Sequence, residues 1–136
     1  MDKPDHFAIK TPKDWIQDID FKQMVEDLQV MVCVYDINGY IYLNPAAEKV
    51  TGYSLEEVRN RKFWEIVHPE DRIWIKPRGE ARLRGEKVPT TSEFRLLKKN
   101  GQIMWINVFY IITNWGGRNA NVLGFVDITE NKQLNE

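Results

Sequence analysis

Two side chains in this sequence are suited to nucleophilic chemistry: Cys33, the only cysteine, and His68, one of two histidines. A cysteine nucleophile needs a setting that favours its thiolate, together with a base within reach. Cys33 instead lies in an apolar, β-branched run, which predicts a small buried core residue. His68 stands directly before Pro69, which predicts a helix start where the imidazole has a capping or packing role. The two residues therefore predict no catalytic site, and we expect no enzymatic activity.

A series of basic side chains follows His68 and, taken alone, would suit an anion or a nucleic acid. Its members are Arg72, Lys76, Arg78, Arg82, Arg84 and Lys87. Acidic residues are interspersed among them, namely Glu70, Asp71, Glu80 and Glu86. This mixture predicts a solvated helix face. The net charge of −1 for the whole chain also argues against nucleic-acid binding.

Composition places the chain among globular proteins. Its 136 residues are 43% apolar and 29% charged, which is enough apolar material for one self-sufficient core. The lone cysteine cannot form an internal disulfide, and the sequence shows neither a leader nor an apolar run of membrane-spanning length. A cytoplasmic location without membrane contact is therefore expected.

The element that must position any site is a β-hairpin within residues 92–113. Lys99, Asn100 and Gly101 form its turn, because Asn and Gly tolerate the positive φ angles of tight hairpins. The first strand alternates apolar and charged residues, whereas the second is apolar on both faces. The second strand is therefore expected to lie between two layers.

The two faces of this hairpin have different predicted neighbours. An odd-length turn places the following apolar side chains together on a core face: Phe94, Leu96, Ile106 and Val108. The other face carries Trp105, Phe109 and Ile111, which would form an apolar patch if left bare. We expect an N-terminal helix or a second subunit to cover this patch.

The N-terminal part is expected to supply that helix. Residues 1–20 form an arm and the start of a flanking helix, and apolar residues at helical spacing continue to Leu28. Asp20 and Gln23 resemble a capping box, so a separate helix is also compatible with the pattern.

A second hairpin and two short helices are predicted next. Asn38-Gly39 is the hairpin turn, and Asn44 before Pro45 caps a helix that Gly52 ends. Ser54, with a glutamate three residues on, caps another helix.

The longest predicted helix starts at Pro69. Pro77 and Gly79 lie inside it, and proline costs about 3 kcal/mol in a helix interior. We therefore expect a kink or break near Lys76.

The end of the chain is predicted to form one more strand. Residues 115–121 are rich in Gly and Asn and predict a loop, whereas residues 122–128 predict the last strand. The complete order favours an α+β fold: a five-stranded antiparallel sheet with a cluster of short helices on one face and an N-terminal flanking helix.

This order of elements and four spaced motifs resemble a PAS domain, the sensor fold of many signalling proteins. Residues 34–58 read V-Y-D-I-N-G-Y-I-Y-L-N-P-A-A-E-K-V-T-G-Y-S-L-E-E-V, and residues 68–72 read H-P-E-D-R. Residues 93–106 read E-F-R-L-L-K-K-N-G-Q-I-M-W-I, and residues 124–130 read G-F-V-D-I-T-E. The resemblance implies a PAS domain over residues 21–132, with residues 133–136 starting a connector to an output domain.

The resemblance also implies a ligand cavity on the core face of the sheet. Its predicted lining is Tyr53, Ser92, Phe94, Ile106, Val108, Tyr110 and Phe125. Most of these side chains are bulky, which favours a small cavity or a filled core. Pro77-Arg78-Gly79 departs from the family, which usually has an uninterrupted helix over the cavity.

Two cofactor modes of the family are disfavoured by residue type. The flavin subfamily carries a reactive cysteine in the stretch that corresponds to residues 59–63, where Phe63 cannot form a thiol adduct. The haem subfamily uses a histidine in the long helix, and residues 71–85 contain none. A noncovalent flavin, a small organic ligand or no ligand remain as alternatives, and the sequence predicts no metal site.

The predicted function is that of a sensory module in a larger protein such as a histidine kinase or a diguanylate cyclase. We also expect the module to form a homodimer. In similar domains D-I-T, here Asp127, Ile128 and Thr129, ends the last strand and connects it to a helix that leads to the output domain. Thr129 is a suitable N-cap for that helix. The alternative is a constitutive protein-interaction module with a filled core and no ligand.

Overall fold

The computed structural model describes residues 30–115 and 117–134, without the side chains of residues 111–115 and 118. The predicted arm and flanking helix, as far as Leu28, lie outside the described residues. The elements in chain order are β1 (Met31–Asp36), β2 (Gly39–Leu43), α1 (Pro45–Thr51), α2 (Leu55–Val58), a 3-10 turn (Phe63–Ile66), α3 (Pro69–Leu83), β3 (Thr91–Leu97), β4 (Ile103–Trp115), β5 (Arg118–Asp127) and α4 (Thr129–Leu134).

The strands form one antiparallel sheet in the order β2-β1-β5-β4-β3. The predicted α+β fold with a five-stranded sheet is confirmed. In the central hairpin Phe94 pairs with Ile106 and Ser92 with Val108, and Gly101 in the turn has a φ of 88°. The core face predicted from the odd-length turn is therefore correct.

Local capping signals place the short helices between β2 and α3. The Asn44 Oδ1 accepts hydrogen bonds from the N–H groups of Ala47 at 3.0 Å and of Val32 at 2.9 Å, so it caps α1 and joins it to β1. The Ser54 side chain accepts from the Glu57 N–H, and the Glu57 carboxylate accepts from the Ser54 N–H, as a capping box requires. These caps were predicted correctly.

Of the kink or break predicted near Lys76, the break is wrong, because α3 continues through Pro77 to Leu83. Pro77 removes the donor that would bond the Ile73 carbonyl. Ile73 is 80% exposed, so this side of the helix faces solvent and water can replace the lost bond. On the opposite side, a Cβ at Gly79 would lie 2.3 Å from the Phe63 ring, so the glycine lets α3 pack closely onto the core.

The predicted loop over residues 115–121 is also wrong, because β4 and β5 form a hairpin that extends to the pair Trp115 and Arg118. The strand β5 thus begins at Arg118 and not at Val122. Gly117 has a φ of 81°, and a tight turn needs such a residue. The Gly and Asn content predicted a turn correctly, but the connection between the strands is shorter than the predicted loop.

Candidate functional site

A small cavity of about 40 Å³ lies between the inner face of the sheet and the helices. A water molecule needs roughly 10–15 Å³ by this measure, so the space is on the order of three waters. Pockets for drug-sized ligands measure about 300–1,000 Å³. The cavity suits a ligand of only a few heavy atoms unless the core rearranges.

Most of the predicted lining residues meet at this cavity. Those on its wall are Tyr53, Phe94, Ile106, Val108, Tyr110 and Phe125. Ser92 is buried but is not part of the wall. The alternation of inward and outward side chains along the strands is sufficient to find five of the six, because Tyr53 lies in the loop between α1 and α2.

Aromatic side chains that were not predicted as lining fill much of the space. The Phe63 and Tyr35 rings stack with their centroids 4.5 Å apart, and the Tyr40 hydroxyl donates a hydrogen bond to the Phe63 carbonyl at 3.0 Å. All three side chains line the cavity. Phe63 therefore occupies core volume at the edge of the cavity.

The cavity wall favours neutral groups. Burial raises the pKa of the Cys33 thiol to about 12, so the thiol stays protonated and is a poor nucleophile at neutral pH. Burial also raises the pKa of Tyr35 and of Tyr40. The expectation that Cys33 is a small core residue is confirmed by its exposed fraction of 6%. His68 accepts a hydrogen bond from the Glu70 N–H at 3.1 Å and caps α3, as predicted.

One member of the basic series is not on the solvated face where the sequence placed it. Arg82 is 5% exposed, and its Nη2 donates to the Pro89 carbonyl at 2.6 Å. Its Cζ lies 3.3 Å from the centroid of the Tyr110 ring. Arg82 follows Ile75 and Gly79 at helical spacing on the buried side of α3, and that periodicity is the signal by which it could have been found.

The outer face of the sheet carries exposed apolar surface. Phe109 is 39% exposed and Ile103 is 48% exposed, whereas Trp105 is half-buried. The Trp105 ring lies between two cations, with the Lys132 Nζ at 4.7 Å and the Arg95 Cζ at 5.3 Å from its centroid. The Ile111 side chain lies outside the described residues.

The C-terminal exit, which is the point where β5 ends and α4 begins, is held in place by hydrogen bonds within residues 127–129 and between these residues and β4. The Asp127 Oδ1 accepts from the Thr129 N–H at 2.9 Å, and the Thr129 Oγ1 accepts from the Trp105 N–H at 3.0 Å. Thr129 is the first helical residue, so its predicted N-cap role is wrong. The Ile128 carbonyl accepts the first helical bond, from the Lys132 N–H, and Thr129 instead joins the helix to the sheet.

In the part of the chain that the structure describes, no cluster of three or more His, Cys, Asp or Glu side chains is arranged to hold a metal ion. No helix among those residues has the length and apolar character needed to cross a membrane.

Comparisons with known proteins agree with this architecture. A model of the PAS fold matches residues 40–126, and no curated protein matches the chain. Among solved structures, a domain of a sensory box histidine kinase/response regulator from Geobacter sulfurreducens is 18% identical, with a TM-score of 0.68 and coverage of 87% of this chain and 100% of that one. An RNA-binding light-oxygen-voltage receptor is 24% identical, with a TM-score of 0.68 and coverage of 99% and 39%.

The N-terminal domain of a diguanylate cyclase with a PAS/PAC sensor, from Marinobacter aquaeolei, is similar as well. It is 17% identical, with a TM-score of 0.58 and coverage of 76% of this chain and 98% of that one. At such identities the three likenesses show a shared fold.

Proposed function

Because this chain belongs to the PAS family, as the match over residues 40–126 shows, we propose that it is the sensory and dimerisation module of a larger cytoplasmic signalling protein. The module comprises residues 21–132, and residues 133–136 start the connector to an output domain of the histidine kinase or diguanylate cyclase type. PAS domains are sensory and not catalytic modules. The module has no activity of its own and transmits the state of its core, set by a ligand or a partner, to the output domain.

The observation that carries this proposal is the short distance along one strand between the cavity and the exit. Phe125 lines the cavity, and Asp127, two residues later on β5, bonds the first residue of α4. Thr129 and Ile128 both bond the backbone of Trp105, so α4 is fixed to β4 at its first turn. A change in the packing of Phe125 therefore reaches the exit helix through two residues of extended backbone.

The expected coupling is of ordinary allosteric size. An input shifts a two-state equilibrium only by the difference in its affinity for the two states. Typical coupling free energies are about 1–3 kcal/mol, or roughly 5–150-fold in an equilibrium constant. We expect the hinge Asp127, Ile128 and Thr129 to transmit a coupling in this range.

The test uses a cavity substitution as the input, so it requires no identified ligand. The full chain is fused beyond Glu136 to a histidine kinase output domain, and autophosphorylation is measured. Phe125→Leu is expected to change the autophosphorylation rate when residues 127–129 are native. In the double mutant Asp127→Ala with Thr129→Ala, which should remain folded, Phe125→Leu should have no effect. Ile73→Ala, at a surface position, is the control and should change neither background.

Two results would contradict the proposal. If Phe125→Leu changes the output equally with and without the exit substitutions, the hinge does not carry the signal. If it changes the output in neither background although circular dichroism shows a folded domain, cavity packing is not an input.

A second candidate function is favoured by the small cavity. With about 40 Å³ of free volume and the Phe63 ring stacked on Tyr35, the core is nearly filled. Such a core suits a constitutive protein-interaction module without a ligand. An absorption spectrum and mass spectrometry of a denatured extract separate the two functions, because a stoichiometric small molecule supports the sensor and contradicts the interaction module.

A further inference from the structure

The helix α4 buries none of its side chains, although it begins at the exit from the sheet. It has six residues, none of them is buried, and Leu134 at its end is 77% exposed. Isolated helices shorter than about 12–15 residues are marginal in water, so neither helix propensity nor apolar burial holds α4 in place. Its position therefore depends on the few polar contacts that it makes with the sheet.

The start of α4 is bonded to the backbone of β4. The Thr129 Oγ1 accepts a hydrogen bond from the Trp105 N–H at 3.0 Å, and the Ile128 N–H donates to the Trp105 carbonyl at 2.9 Å. These two bonds fix where the helix begins, but they lie at its first residue or just before it. A contact further along α4 is needed to fix the direction in which the helix runs.

Lys132 makes that contact, because its ammonium group reaches two strands. Its Nζ lies 2.9 Å from the Glu93 Oε1 on β3 and 4.7 Å from the centroid of the Trp105 ring on β4. Arg95, which is paired with Trp105 across the two strands and bonded to Asp71, lies 5.3 Å from the same centroid. The ammonium group therefore contacts two side chains whose positions are set by the sheet.

Both contacts of Lys132 are partly exposed and of moderate strength. The side chains of Lys132 and Glu93 are 35% and 49% exposed. An exposed ion pair changes an equilibrium constant by up to about fivefold, and a cation–π contact at an exposed site changes it by roughly two- to fivefold. Together they favour the docked helix by on the order of tenfold, so a change in conditions can shift the equilibrium.

We propose that Lys132, with Glu93 and Trp105, forms a charge-dependent latch on the exit helix, and that ionic strength is therefore an input to the domain. When the latch is open, only the bonds to the Trp105 backbone remain and α4 is free to change direction. Salt opens the latch, because the Debye length at 1 M is about 3 Å and the exposed ion pair is screened. The latch deepens the proposed sensory function and rests on it, since it acts on the same exit helix.

The test measures amide hydrogen exchange in the full 136-residue chain and needs no output domain. The reporter is the Lys132 N–H, which donates to the Ile128 carbonyl at 3.0 Å and loses its protection when the undocked helix frays. Raising sodium chloride from about 0.05 M to 1 M should lower its protection factor about three- to fivefold, because only the ion pair is screened.

Charge substitutions distinguish a latch from a contact that is merely structural. Lys132→Gln should lower the protection factor at residue 132 about tenfold and abolish its dependence on salt. Glu93→Gln removes only the ion pair and should lower it about three- to fivefold. Exchanging the two charges, with Glu93→Lys and Lys132→Glu together, should restore the salt-dependent part. Lys87→Gln, which removes one charge from the loop between α3 and β3, is the matched control and should behave as the parent chain does.

Three results would overturn the latch. They are protection in the parent chain that does not depend on salt, undiminished protection in Lys132→Gln, and a charge exchange that lowers protection further than Glu93→Lys or Lys132→Glu alone. Circular dichroism confirms that each variant is folded. A domain without the latch can still transmit cavity packing through residues 127–129 in the fused kinase, so the failure of this test is distinguishable from the failure of the proposed function.

Discussion

Asp71 near the start of α3 and Arg95 in the middle of β3 are joined by three hydrogen bonds. The Asp71 Oδ2 accepts from the Arg95 N–H at 2.8 Å and from the Arg95 Nε at 3.0 Å, and the Asp71 Oδ1 accepts from the Nη2 at 2.8 Å. Burial opposes the charged carboxylate, but the bonds to Arg95 outweigh it, and the pKa of Asp71 is lowered. The carboxylate therefore joins the long helix to the edge strand of the sheet in its ionised form.

Replacing this carboxylate by an amide should destabilise the domain. Asp71→Asn leaves the Arg95 charge without its buried counter-charge, and we expect the free energy of unfolding at pH 7 to fall by about 3 kcal/mol in chemical denaturation. Glu70→Gln is the matched control, because Glu70 contacts the same Arg95 Nη2 at 3.2 Å from a side chain that is 75% exposed. It should change the free energy by less than about 1 kcal/mol.

The same pair predicts the direction of the pH dependence. A carboxyl whose pKa is lower in the folded state contributes stability above its ordinary value of about 4, and this contribution is lost as the pH falls through the folded-state pKa. The stability difference between the parent chain and Asp71→Asn should therefore be constant near neutral pH and shrink below about pH 4. A difference that grows on acidification would contradict the assignment.

A third prediction concerns the close approach of α3 to the core. Helix propensity alone would make Gly79→Ala stabilising by about 1 kcal/mol. The new Cβ, however, would lie 2.3 Å from the Phe63 Cζ. The Phe63 ring cannot easily move away, because it also stacks on Tyr35. We expect overpacking to dominate, with a net loss of about 1–3 kcal/mol in the free energy of unfolding.

A double-mutant cycle identifies the cause of that loss. In a Phe63→Leu background the smaller side chain frees the space, so Gly79→Ala should be neutral or stabilising there. An equal loss in both backgrounds would show that the clash with Phe63 is not responsible.

The sequence was sufficient where the signal is local. The caps at Asn44 and Ser54 and the turn at Gly101 depend on residues within three or four positions, so their geometry follows from side-chain type. The break predicted near Lys76 was wrong because the cost of Pro77 inside the helix depends on which side of the helix faces solvent. That orientation is set by the distant contact between Gly79 and Phe63.

The candidate site shows the same difference between local sequence signals and distant contacts. Inward alternation along the strands predicted the lining residues Phe94, Ile106, Val108 and Phe125. Arg82 was missed because charge type was given more weight than helical spacing, and an arginine is normally exposed. Only the packing of α3 over Tyr110 shows that this arginine is buried.

The last prediction concerns the outer face of the sheet, which we propose as the homodimer interface. Phe109 is 39% exposed, and its ring lies so close to Gly124 that a Cβ there would be 2.5 Å from the Phe109 Cε2. Ile73, 80% exposed on α3 in the helical layer, is the matched control because it is apolar and solvent-accessible. Phe109→Lys should weaken self-association at least about tenfold in sedimentation measurements over a range of concentrations, because it places a charge in the desolvated interface. Ile73→Lys should leave association unchanged.

If both variants associate like the parent chain, the interface lies elsewhere. If the parent chain is a monomer at every concentration, the dimer is excluded. Deleting residues 1–28 then tests the remaining cover, because loss of a flanking helix from this face would increase the binding of an apolar dye.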